Sequence, residues 1–125
     1  MNLNQVTVPS VNVAASKDFY QKMGLRLIVE SLPDYLRFEC PEGESTFSVH
    51  QVTSLPDGEG VSVYFECKNL DRQVAQLKEA GIDFDELPTD KPWLWREARL
   101  RDPDQNRIIL YYAGENRKYP PWRIN

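Results

Sequence analysis

The chain has 125 residues, 41% of them apolar and 27% charged, with a net charge of −4 and a pI near 5.0. That is enough for one domain with a real core and too few for two, and the composition excludes a disordered chain. The weak acidic balance offers no positive field, which argues against nucleic acid or an anionic membrane surface as a partner. No apolar run approaches the length of a transmembrane helix. Met1 to Gln5 lacks the basic and apolar regions of a signal peptide, so a cytoplasmic protein is expected. Cys40 and Cys67 both fall in strand-like segments and are read as reduced core residues. His50 is the single histidine, so no site can draw two or three imidazoles from one chain.

In chain order, Leu3 to Val8 alternates imperfectly and predicts a strand, which Pro9-Ser10-Val11-Asn12 breaks. Asn12 is a candidate N-cap for a helix over Ala14 to Met23, stopped by Gly24, with Ala15, Phe19 and Met23 as its apolar stripe. Strands are predicted at Leu25 to Ser31, Tyr35 to Cys40 and Thr46 to Val52. Leu36 and Phe38 face one way, and Tyr35, Arg37 and Glu39 the other. Leu55 to Gly60 is a breaker cluster joining two halves.

The plan then repeats. Val61 to Cys67 predicts a strand. Asn69 caps a helix over Leu70 to Ala80, stopped by Gly81 and lined inside by Val74, Leu77 and Gly81. Ile82 to Asp85 resumes extended structure, Asp90 to Trp93 reads as a loop, and Trp95 to Arg101 as a strand. Asp102-Pro103-Asp104 is turn chemistry, and Ile108 to Tyr112 has the β-branched and aromatic content of a buried strand. The tail from Arg117 to Ile124 contains Pro120-Pro121 and cannot be a regular strand. Its Tyr119 and Trp122 are expected to pack on the sheet, on a partner subunit or over a cleft.

The two halves match at an offset of 57 residues: Val8 with Phe65, Asn12 with Asn69, Val13 with Leu70, Gly24 with Gly81, Leu25 with Ile82. The fold class is therefore α+β, as one domain over residues 1–125. Its two βαβββ modules, about 1–54 and 61–112, form a curved mixed sheet around a cleft, with helices on the outer face and a tail over 113–125.

With Asp18-Phe19-Tyr20, Met23-Gly24-Leu25, Asn69-Leu70-Asp71, Leu77-Lys78-Glu79-Ala80-Gly81 and Arg101 to Ile108 in this order, the chain resembles the vicinal oxygen chelate superfamily. That is the group of glyoxalase I, extradiol dioxygenases and bleomycin-resistance proteins. The resemblance implies a homodimer and a cleft for a small organic molecule. Metal-using members carry ligands on the first, fifth and eighth strands, and often on the fourth. The matching positions here are Gln5, Ser62 and Ile109. An amide and a hydroxyl are weak ligands and a hydrocarbon is none, so no cofactor is expected.

Strand parity then gives the lining as Gln5, Thr7, Tyr35, Arg37, Glu39, Ser48, His50, Ser62, Tyr64, Glu66, Ile109 and Tyr111. Trp93 and Trp95 are placed to cap the mouth and stack on a planar ligand, or to bury a subunit contact. The blander alternative is the solvated face of a half-covered sheet. The leading expectation is a ligand-binding protein of the bleomycin-resistance type. One rival is a lyase, isomerase or dioxygenase whose divalent metal sits on displaced ligands such as His50 and Glu66. Another is a metal-free enzyme with His50 as acid or base.

Overall fold

The computed structural model describes residues 1–124. The chain divides into two compact units, residues 1–60 with 102–106, and residues 61–101 with those from 107 on.

The first unit runs β1 (Gln5–Ser10), α1 (Val13–Lys22), β2 (Arg26–Ser31), β3 (Tyr35–Glu39), β4 (Thr46–Gln51), in the sheet order β1-β4-β3-β2. β1 pairs parallel with β4, and the other pairings are antiparallel. β1 starts later than the alternation suggested and carries Pro9 inside it. A proline is tolerated there because β1 lies at the edge of its sheet and one side of it need not donate. Asn12 caps α1 by accepting from the Ala15 amide at 3.2 Å.

The buried face of α1 is Val13, Ser16 and Tyr20, followed by Met23; of the expected stripe of Ala15, Phe19 and Met23, only Met23 is buried. Tyr20 sits fully buried against Phe47 at 4.7 Å and Phe38 at 5.9 Å between ring centres. Each large side chain buried this way contributes about 1.5–3 kcal/mol. The helix turns its hydroxyl-bearing residues inward because carboxylates await them. Asp102 and Asp104 are both buried. Tyr20 Oη donates to Asp102 at 2.6 Å, and Ser16 Oγ to Asp104 at 3.2 Å. Asp104 also accepts from the Val11 amide at 2.9 Å. The Asp-Pro-Asp turn is thus part of the first unit's core.

The second unit runs β5 (Ser62–Glu66), α2 (Leu70–Glu79), β6 (Glu86–Asp90), β7 (Arg96–Arg101), β8 (Arg107–Tyr112), in the order β5-β8-β7-β6. α1 and α2 are separated by the same 57-residue offset at both ends. Gly24 and Gly81, with φ of +100° and +94°, stop them in the left-handed conformation. Asn69 holds the N-cap position of α2, but its side chain makes no capping bond, contrary to expectation. The inner line of α2 is Leu70, Val74 and Leu77, while Gly81 is exposed. The strand expected at Ile82 to Asp85 lies instead at Glu86–Asp90, with Pro88 in a register irregularity of this edge strand.

Beyond β8 a single 3₁₀ turn, Gly114–Arg117, opens the tail. Tyr119 and Trp122 remain 63% and 57% exposed, so of the three expected placements, packing of both rings onto the chain's own sheet is not observed. Arg123 lies 4.5 Å over the Tyr119 ring. Cys40 and Cys67 are free thiols, and burial pushes Cys40 up from the ordinary thiol range. Among the described residues no helix is long and apolar enough to cross a membrane.

Candidate functional site

In each unit the sheet has one face turned to its helix, and parity assigns the other face a different chemistry. On the second unit, Ser62 pairs with Arg107 and Arg107 with Arg101. Tyr64 pairs with Ile109 and Ile109 with Arg99; Glu66 pairs with Tyr111 and Tyr111 with Glu97. Three strands therefore lay down a grid, basic at one end and aromatic and acidic at the other.

The aromatic part is tightly defined. Trp95 stacks on Tyr111 with 4.7 Å between ring centres and 21° between planes. Tyr64 meets both rings edge-on, at 5.8 and 5.5 Å. Burial pushes the Tyr111 phenol upward, and the charge of Glu66 adds to that, so the ring serves as a neutral surface. Ile109 is only 3% exposed. Trp95 also borders a shallow depression of about 460 Å³ that includes Leu94, Arg96 and Tyr112.

Glu97 is fully buried on this same face. One of its oxygens accepts from Arg99 Nη2 at 2.9 Å, and the other from Trp93 Nε1 at 2.6 Å. Arg99 Nε is buried without a hydrogen-bond partner among the described residues. Glu97 and Arg99 were not singled out in the sequence. The signal was present, because Glu97, Arg99 and Arg101 alternate with Ala98 and Leu100, but such alternation also describes a solvated face. Glu66, expected with His50 as a displaced metal ligand, accepts the Ala113 and Gly114 amides at 2.9 and 3.0 Å and so holds the start of the 3₁₀ turn.

On the first unit, Gln5, Thr7, Ser48, Tyr35 and Arg37 come together as expected from parity. Gln5 Nε2 donates to Ser48 at 2.6 Å and to Thr7 at 3.2 Å, and Gln5 Oε1 accepts from Thr46. Tyr35 Oη and Ser48 Oγ are 2.7 Å apart, and Arg37 Nε donates to Tyr35 at 2.9 Å. Ser48 is fully buried, whereas His50, opposite Tyr35 in the register, is exposed.

The three positions that a metal would require can be judged one at a time. The Gln5 amide is consumed by hydroxyls. Ser62 Oγ accepts from Arg107 Nε and Nη2 at 3.2 and 2.9 Å, which sets a fixed positive charge on the one donor that position offers. Ile109 has no donor. This set does not fit a divalent ion. Among the described residues no group of three or more His, Cys, Asp or Glu side chains is placed to hold one elsewhere.

Two successive βαβββ units with a polar and aromatic face in each define a protein of the glyoxalase fold. The family model of the Glyoxalase/Bleomycin resistance protein/Dioxygenase superfamily matches residues 2–110, and the chain belongs to that superfamily. Among curated proteins no sequence matches significantly. A glyoxalase/bleomycin resistance protein/dioxygenase from Nocardioides is similar in structure, with 20% identity, a TM-score of 0.79, and 100% of this chain and 90% of that one covered. Lactoylglutathione lyase from Agrobacterium tumefaciens has 15% identity and a TM-score of 0.72, covering 89% and 92%. TioX from Micromonospora sp. ML1 has 17% identity and a TM-score of 0.73, covering 90% and 99%. At these identities the likeness is one of fold.

Proposed function

We propose that the protein binds small organic molecules on the face that each unit turns away from its helix, and does so without the metal of its superfamily. It is the ligand-binding type of the family and not a metal-dependent lyase, isomerase or dioxygenase. The observation that carries this reading is the burial of Ser48, Glu97, Ile109 and Tyr111 on the faces opposite the helices. A plain solvated face would expose them. Aromatic rings with a few fixed polar groups are the usual composition of a ligand site. Ser62 bound by Arg107, and Ile109 in place of an acid, work against a resident metal. The engaged carboxylate of Glu66 and the exposed setting of His50 work against the enzymatic alternatives built on them. The protein is taken to act as a cytoplasmic homodimer, with the exposed Tyr119 and Trp122 as apolar surface for the partner copy.

Tryptophan fluorescence titrated with a panel of planar aromatic compounds, with EDTA present throughout, should give at least one saturable ligand. Tyr64→Ala should weaken that ligand about tenfold, the scale of a well-placed aromatic contact. Binding that EDTA abolishes, or that ignores the loss of Tyr64, would contradict the reading.

A further inference from the structure

On the first unit's face the direction of each hydrogen bond can be worked out. Gln5 Nε2 lies 3.3 Å from the Val6 carbonyl, which can only accept, so the amide orientation is fixed. Ser48 Oγ therefore accepts from Gln5, and its own proton is available to Tyr35 Oη. Arg37 Nε, which can only donate, gives a second bond to the same oxygen. With the Ser48 proton given to Tyr35 Oη, that oxygen receives two hydrogen bonds and keeps its own proton for a ligand. Arg37 spends only Nε in this way, and it is exposed, so Nη1 and Nη2 are open to an incoming acceptor.

We propose that Tyr35 and Arg37 form a site for a carboxylate ligand on the first unit's face, the phenol donating one bond and the guanidinium the others. The proposal rests on the ligand-binding reading above and names the chemistry that this part of the face would recognise. A guanidinium fork matches a carboxylate in shape and charge. Ser48 and Gln5 are positioning residues, since they hold the phenolic oxygen from behind.

Electrostatics support the geometry. Burial acts to push the Tyr35 phenol up, but the hydrogen bonds from Ser48 and Arg37 and the Arg37 charge outweigh it, and the phenol lies below the ordinary tyrosine range. The other charged and titratable groups on this face are Glu39 on β3, His50 on β4 and Arg26 on β2, which pairs with Glu39 at 2.8 Å. A bound carboxylate opposes the phenolate. Affinity should therefore be constant while the phenol is protonated, and fall as pH rises through its pKa. By reciprocity the bound anion should move the Tyr35 titration upward.

The test uses benzoate as the probe and benzamide as its neutral isostere, measured by calorimetry on the wild-type chain, Tyr35→Phe and Arg37→Lys. Benzoate should bind the wild type, and at least about tenfold more weakly in Tyr35→Phe, the scale of one charge-assisted hydrogen bond. Arg37→Lys, which keeps the charge and loses the fork, should also weaken it. Ultraviolet titration should show an early-ionising tyrosine that benzoate shifts upward and Tyr35→Phe removes. No benzoate binding, or equal affinity in Tyr35→Phe, would overturn the proposal. Benzamide binding as well as benzoate would also overturn it, while leaving the ligand-binding reading standing.

Discussion

Asp102→Ala should destabilise the protein by about 3–5 kcal/mol, the largest effect expected of any single polar substitution. Asp102 is buried and accepts four hydrogen bonds: from Tyr20 Oη, Asn106 Nδ2, and the amides of Asp104 and Asn106, all between 2.6 and 2.9 Å. Alanine leaves these donors without an acceptor, and each unsatisfied buried group costs about 1–3 kcal/mol. Tyr20→Phe should cost less, about 1–2 kcal/mol, because three donors to Asp102 remain. Urea unfolding measures both. A loss below about 1 kcal/mol in Asp102→Ala would show that the turn does not support the first unit.

The same contact sets a pH dependence. Burial, then the charge and hydrogen bond of Asp102, push the Tyr20 phenol far above the ordinary tyrosine range. A raised pKa means the folded chain keeps its proton while the unfolded chain loses it. The stabilisation should therefore be fully present below tyrosine's ordinary pKa of about 10 and decline as pH rises above it. That alkaline decline should be smaller in Tyr20→Phe.

Arg99→Met should cost about 3 kcal/mol at neutral pH while keeping much of the side chain's packing. It removes the one cation paired with a fully buried carboxylate and leaves Glu97 with only Trp93 Nε1. Breaking a buried ion pair from one side is costly because a charge stays behind uncompensated. Pairing Arg99→Met with Glu97→Leu should restore part of the loss at neutral pH, because no buried charge then remains. An Arg99→Met variant as stable as the wild type in urea unfolding would mean that the Glu97–Arg99 pair does not support the fold.

The repeat was legible because caps, glycine stops and alternating strands are local signals, and α1 and α2 keep the 57-residue offset. The inner face of α1 was misread because apolar periodicity cannot anticipate Ser16 and Tyr20 turning inward. Their partners, Asp102 and Asp104, lie more than eighty residues away in sequence. The same long-range pairing makes the Asp-Pro-Asp turn, which read as a hairpin signal, an anchor of the first unit. Strand parity brought Gln5, Thr7, Tyr35, Arg37 and Ser48 together correctly as one face. It did not bring out Glu97 and Arg99, because a buried ion pair and a solvated one have the same sequence pattern, and only burial tells them apart.

The departures at Gln5, Ser62 and Ile109 were visible in the sequence as missing ligands. The geometry adds what each position does instead. The amide is tied to hydroxyls, the serine is covered by Arg107, and the isoleucine is packed out of solvent. A superfamily known for metal chemistry thus has, in this chain, faces built of hydroxyls, rings and paired charges.

Elemental analysis decides whether this member holds a resident metal. Protein purified without chelators, and again after incubation with excess zinc, nickel, manganese or iron followed by desalting, should retain well under one divalent ion per chain. About one tightly held ion per chain would contradict the account and return the protein to the metal-using members of its family.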